Sequence, residues 1–342
     1  MRRRILIIFL CIVLTGSLAA CSEKDSGAQA KETRQEFWET ITETETGNGW
    51  AVETETYTET EQVIETEPAT ETQAHTETEA PTEPDTETES RKTYAVSPLG
   101  TAGELDGRTV IISLFVNDSY TGWDFSSEAD QQRYIEALNN LAYATAYITN
   151  QAAAYGAKAE FIYDWSLDDD LDRLAEFDDD LVQYDASRYQ LQADWVYAHF
   201  EPTQILEKYD ADNVIYIFFF NTDQANDVSP RSIGHMNDYS NVIEIVNMYI
   251  GFKGVDAPPA TYAHELLHSF GAQDLYYETA AIPQAYVDHL TDIGSNDIMY
   301  TVVMGNNITN DFTELDAYYT GLTDHCEEVE IWGLGLSEHL YQ

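Results

Sequence analysis

Two histidines four residues apart, with a glutamate beside the first, are the residues of this chain best suited to chemistry: His264-Glu265-Leu266-Leu267-His268. On a helix, positions i and i+4 share one face. Both imidazoles can therefore reach one Zn²⁺, and Glu265 stands where it can take a proton from a metal-bound water. Gly271 falls just past the second histidine, where a residue that tolerates positive φ lets the chain leave the helix and turn. Asp274 follows the turn and can supply a third, oxygen ligand, with a fourth position open for water or substrate as a catalytic zinc requires. A chance H-E-x-x-H in a chain of this length is on the order of one in a hundred, and Gly and Asp at those offsets lower that roughly another hundredfold. The plain alternative is an amphipathic helix with two partly exposed histidines.

Other residues compete for roles at the same centre. His235, His289 and His325 are alternative third ligands, although only Asp274 has the motif spacing; Glu278 and Glu314 are further candidates. Asp297 stands two residues before Met299 and is a candidate to hydrogen-bond a ligand imidazole and fix its tautomer, with turn capping as the other reading.

The pattern HExxHxxGxxD, followed by Leu275 and Tyr276, resembles the metzincin zinc peptidases, and within them the secreted bacterial peptidases of the immune-inhibitor-A type. Ser295-Asn296-Asp297-Ile298-Met299-Tyr300 is similar to the methionine turn that underlies the metal in that family, with Met299 as its methionine. The likeness spans roughly residues 105–325. It implies a zincin fold: an α+β domain with a twisted mixed sheet, an antiparallel edge strand, a long backing helix, an active-site helix, and a smaller lower subdomain after the zinc motif. It also implies zinc as cofactor, His264, His268 and Asp274 as ligands, and Glu265 as catalytic base. A glutamate ligand from a downstream helix would instead make a thermolysin-like gluzincin, against which Gly271 and Asp274 argue. One departure matters. Where some metzincins carry a tyrosine two residues after the methionine, this chain has Thr301, with the tyrosine at Tyr300. The likeness therefore gives no support for a tyrosine at the metal from that turn.

The elements that must position these residues are legible around them. Thr109 to Val116 is a nearly continuous apolar run, as in a buried strand. Residues 128–155 carry Ile135, Leu138, Leu141 and Ala142 at helical spacing, ended by Gly156. Residues 159–163 read as the next strand, and the strand–helix–strand order implies a right-handed parallel crossover. Val214 to Phe220 reads as a central strand. Val242 to Met248 partly alternates, as a strand with one wetter face does. By the resemblance this last run, with Val242, Ile243, Glu244, Ile245 and Val246, is the antiparallel edge strand that holds substrate by strand addition. Pro258 and Pro259 open the metal helix, with Asp256 as a possible cap. Residues 312–319 read as a short closing helix, and residues 330–332 as a possible final strand.

The flanks set location and partners. Arg2, Arg3 and Arg4 precede an apolar run over residues 5–14, too short for an ordinary membrane span, so residues 1–21 read as an export signal. Leu18-Ala19-Ala20-Cys21 matches a bacterial lipobox, which predicts lipidation of Cys21 and a domain tethered to the membrane on the extracellular side. Residues 22–99 are a Thr/Glu-rich stalk with too few apolar side chains to offset the entropy of ordering. About 70 residues reach roughly 230 Å stretched and about 50 Å as a flexible coil. The catalytic domain is expected over 100–342.

The chain carries a net charge of −46. Residues 93–342 hold 42 acidic and 8 basic side chains, a net −34. That argues against nucleic acid and anionic lipid surfaces as partners of the domain. Two acidic clusters, Asp168-Asp169-Asp170 and Asp178-Asp179-Asp180, raise calcium, but no calcium-loop glycine sits among them, and the residues read as solvated surface. Cys11 lies in the signal and Cys21 at the lipid site, so Cys326 is left without an intrachain partner and a core must hold the domain. The expected function is a cell-surface zinc peptidase, endopeptidase if its cleft is open, acting as a monomer on peptide or protein substrates. The alternative is a non-catalytic, surface-anchored binding module on the same scaffold.

Overall fold

The computed structural model describes residues 102–164, 171–182, 186–236, 242–336 and 340–341. The segments expected to be an export signal and a stalk, with Cys21, and Asp168-Asp169-Asp170 lie outside the described residues.

The architecture is α+β, built on a mixed sheet with helices on both faces. Strand β1 (Arg108–Asn117) is buried from Thr109 to Val116, because helices cover it on each side. Helix α1 (Glu128–Ala154) lays Tyr134, Leu138, Leu141, Thr145, Ile148 and Ala152 on one face at steps of three and four. The chain then reverses at Gly156, whose φ is 84°. Strand β2 (Glu160–Ile162) pairs in parallel with the first half of β1, as the strand–helix–strand order requires. Strand β3 (Asp172–Glu176) pairs in parallel with its second half. Helices α2 (Ala186–His199) and α3 (Pro202–Tyr209) cover the opposite face through Ala193, Val196 and Ile205. Strand β4 (Asn213–Phe220) pairs in parallel with β1.

The next two strands correct the sequence reading. Strand β5 (Arg231–Met236) has no counterpart among the elements read from the sequence, and strand β6 (Val242–Tyr249) lies between β4, to which it is parallel, and β5, to which it is antiparallel. Val242, Ile243, Glu244, Ile245 and Val246 are thus interior, and the antiparallel outer strand is β5. The alternation misleads because the polar residues of β6 are buried with partners. Glu244 accepts a hydrogen bond from the Ser232 hydroxyl (2.9 Å), and Asn247 Oδ1 accepts one from the Gln192 amide (2.6 Å). Beyond β5, the two-residue strand β9 (Leu340–Tyr341) pairs only with Gly234 and His235. Along Arg231–Ile233, no strand among the described residues pairs with the outer edge of β5.

A hairpin, β7 (Gly251–Phe252) and β8 (Val255–Asp256), leads into helix α4 (Pro259–Ser269). Asp256 belongs to the hairpin; Pro258 occupies the cap position instead. Helices α5 (Gln284–Ile293), α6 (Glu314–Tyr319) and α7 (Glu327–Trp332) follow. Residues 330–332 are therefore helical, not a strand. Three glutamates in the first turn suit the positive end of a helix, and Gly333 closes it with a φ of 64°. The segment after the metal motif does not build its own core: Ile282, Ile298, Met299 and Leu315 join the same buried cluster as Leu141 of α1 and Leu266 of α4. Among the described residues, no helix is long and apolar enough to cross a membrane.

Candidate metal centre

Helix α4 is buried over its whole length. Proline at the cap and first positions needs no N–H partner there, and Tyr262, Ala263, Leu266 and Leu267 fill the space against α1 and the sheet. The helix ends at Phe270. Gly271 then adopts φ 105°, its N–H bonds the His268 carbonyl (2.9 Å), and the Ala272 N–H bonds the Leu267 carbonyl (3.2 Å). This paired closure is the Schellman arrangement, which requires positive φ at Gly271. It turns Asp274 back toward the histidines.

Three ligand atoms meet there. His264 Nε2 and His268 Nε2 are 3.1 Å apart, and Asp274 Oδ1 lies 3.2 Å from the first and 3.1 Å from the second. The Nδ1 atoms are each engaged elsewhere, His264 with the Ile298 carbonyl (2.9 Å) and His268 with the Ala272 carbonyl (2.7 Å). A carbonyl only accepts, so each ring carries a proton on Nδ1, and a neutral ring turns a bare Nε2 lone pair inward. With both rings neutral, two lone pairs and a carboxylate oxygen converging at this distance repel unless a cation, a proton or a metal ion, joins them. With metal–ligand bonds of 2.0–2.1 Å, the edge of a tetrahedral zinc site is about 3.3 Å, close to all three separations. The residues present therefore fit a metal ion, and they are the metal-ligating group found among the described residues.

The charges respond to this crowding. Burial pushes the His264 imidazolium down, but Asp274, Glu265 and the Ile298 carbonyl outweigh it and raise the group to about 9. Burial likewise opposes ionisation of Asp274, yet the facing His268 and His264 rings hold that carboxyl far below the usual range. Burial, with the charge of Asp274, raises the Glu265 carboxyl above its ordinary value, against the opposing pull of the two imidazoles and Arg231. Glu265 Oε2 is buried and has no hydrogen-bond partner, so it is available to a molecule in the cleft.

Met299 is fully buried in the cluster beneath α4, and its carbonyl accepts from the Leu275 N–H (3.0 Å). Asp297 does not hold an imidazole. Its Oδ1 accepts from the Met299 N–H (2.6 Å) and its Oδ2 from the Thr313 hydroxyl (2.8 Å). It braces the turn, and Ile298 orients His264 through a backbone carbonyl. Tyr300 shares a hydrogen bond with Thr291 instead of approaching the ligand atoms.

The competing ligands are elsewhere. His289 stacks on Trp332 at 4.8 Å, and His325 is exposed beside Glu330. His235 sits in β5 opposite Ile243, and its side chain lies outside the described residues. Asp179 pairs with Arg188 (3.4 Å) and Asp180 caps its own loop through the Val182 N–H (2.8 Å).

Several site residues escaped sequence reasoning. Tyr277 donates to Asp274 Oδ2 (3.2 Å), and the Tyr276 ring lies 6.3 Å from the His264 ring. Burial, then Asp274 and Glu265, push the Tyr276 hydroxyl well above its ordinary value, so it stays protonated and a donor. Their signal was present in the two tyrosines that follow the third ligand. Arg231, Ser232 and Lys253 have no such signal, since strand β5 and the hairpin turn bring them to the candidate ligands from distant sequence. Together with the ligands they line a cleft of about 600 Å³.

Compared with known protein families and with curated proteins, the chain matches none.

Proposed function

We propose that this protein is a zinc peptidase with a zincin-type fold, held at the bacterial cell surface by a lipid on Cys21 and a 22–99 stalk. The observation that carries the reading is the triangle of His264 Nε2, His268 Nε2 and Asp274 Oδ1, with both Nδ1 protons committed to carbonyls and the unpartnered Glu265 Oε2 nearby. His264, His268 and Asp274 would hold the ion. Bound zinc supplies a Lewis acid that acidifies water and polarises a carbonyl.

The chain's own groups supply the rest. Glu265 takes a proton from the attacking water and returns it to the leaving amine. Burial raises its carboxyl overall, which suits the return of the proton, and the facing imidazoles and Arg231 oppose that rise. The Tyr276 hydroxyl can donate a hydrogen bond to an oxygen that gains charge in the cleft. Arg231 and Ser232 of the outer strand β5 line the cleft, where an extended peptide can add as a further strand. Met299 and Asp297 brace the floor below.

The test is a zinc analysis of the full chain combined with digestion of a peptide library, for the wild type and Glu265→Ala. One zinc per chain, with cleavage lost in the variant and under chelation, is the expected result. One zinc with no cleavage of any peptide would favour a binding module, and no zinc in the wild type would overturn the assignment.

A further inference from the structure

Two of the eight cations in residues 93–342 line the metal cleft, in a domain that carries 42 acidic residues. They are Arg231 and Lys253. Among the described residues, the acidic side chains lining the same cleft are Asp274, which faces both histidines, and Glu265 beside them. A cleft that collects a quarter of a domain's positive charge beside its reactive groups is built against the prevailing charge.

The placement of Lys253 supports this. It forms the two-residue turn of the β7–β8 hairpin with Gly254, at φ 47° and 87°. A non-glycine residue in the left-handed region costs roughly 1–2 kcal/mol, and such strain is concentrated at functional positions. The turn is fixed in place. The Lys253 N–H bonds the Asn226 carbonyl and the Gly254 N–H bonds the Gln224 carbonyl, both at 2.7 Å. Gly251 lies so close to the Asp223 backbone that a Cβ would come within 2.5 Å of it. Lys253 is exposed and makes no ion pair among the described residues. Arg231 begins the strand on which a peptide would add, and its planar fork suits a carboxylate.

We propose that Arg231 and Lys253 form an anion subsite that selects peptides with a carboxylate beside the scissile bond, on an Asp or Glu side chain or at the chain's own C-terminus. The inference rests on the peptidase reading and gives its substrate class. The net negative field of the domain does not forbid it. Exposed charges are screened beyond about 8 Å at physiological salt, whereas the subsite acts at contact distance.

The experiment uses the full chain loaded with zinc and sets of peptides identical except for Glu or Gln at the positions flanking the cleavage site. Each is made as free acid and as C-terminal amide. The carboxylate member is expected to have a kcat/KM about tenfold above its neutral twin. That ratio should fall toward one in Lys253→Met and in Arg231→Met. Using a ratio cancels any effect of Arg231 on Glu265. A response to Glu over Gln assigns a side-chain carboxylate, and a response to acid over amide assigns the C-terminus. A wild-type ratio near one, or a preference that survives both substitutions, overturns the subsite and leaves the peptidase reading standing. Calorimetric binding of the same peptides to zinc-loaded Glu265→Gln gives a readout without turnover, again with about tenfold tighter binding of the carboxylate member. If no peptide is cleaved by the wild type yet this difference in binding is found, the subsite stands and the peptidase reading falls. If binding shows no difference either, the subsite falls with it.

Discussion

The Ala272 carbonyl oxygen lies 2.7 Å from His268 Nδ1, four residues back along the chain. The contact exists because Gly271, at φ 105°, folds the strand of chain after α4 against the helix it has just left. The same turn therefore orients one ligand and delivers another, Asp274.

Gly271→Ala should damage both functions at once. A Cβ at positive φ is expected to cost about 1–2 kcal/mol of stability. Zinc affinity should fall as Ala272 and Asp274 shift. Thermal unfolding of the metal-free chain measures the first effect, and competition with a chromogenic chelator measures the second. Unchanged zinc affinity would mean that the turn does not position the ligands.

Tyr277→Phe removes the hydroxyl that donates to Asp274 Oδ2. Partners of a metal ligand typically set affinity by a factor of ten or more, so zinc should bind about tenfold more weakly, while Tyr300→Phe, which loses only its link to Thr291, should leave zinc affinity alone. Equal behaviour of the two variants would remove Tyr277 from the metal's support.

A strand-addition site makes a periodic prediction. Only alternate residues of an added peptide bond to a given strand edge. N-methylation of successive substrate amides should therefore raise KM about fivefold at every second position, from the loss of roughly 1 kcal/mol per bond. A monotonic or absent effect would separate the cleft from the outer edge of β5.

Asp316 gives the stability profile its pH dependence. Its carboxyl is fully buried; desolvation, and next to it the charge of Asp297, raise it well above the ordinary aspartate value. The folded state then binds this proton more tightly than the unfolded chain. The stability it contributes is full below the unfolded value near 3.8 and is lost as pH rises through the raised folded value. Asp316→Asn keeps an oxygen for the Thr313 N–H (2.9 Å) without a charge. The variant should gain in urea midpoint over the wild type as pH increases from 4 to 8. Parallel profiles would show that burial of Asp316 carries no titration.

The candidate metal centre was legible in the sequence because its parts are local. His264 and His268 share a helix face by periodicity, Gly271 marks a positive φ, and Asp274 follows within one turn. The long helix over 128–155 and the strands at 109–116 and 214–220 were equally readable, since continuous apolar runs and helical spacing survive in one dimension. Strand β5 was not. Arg231-Ser232-Ile233-Gly234-His235-Met236 has no apolar alternation, and its strand conformation depends on pairing with β6.

The sequence by itself placed the candidate ligands and the carboxylate beside them, because His264, Glu265, His268 and Asp274 fall within eleven positions of one helix and turn. Only the tertiary structure decided what surrounds that chemistry. Sheet order moved the outer edge from β6 to β5, backbone carbonyls of Ile298 and Ala272 took the role expected of Asp297, and a hairpin brought Lys253 to the cleft beside Arg231. Periodicity records which face of an element is apolar. It does not record which neighbour covers it, so a buried Glu244 with a hydrogen-bond partner and an exposed glutamate read alike until the fold is known.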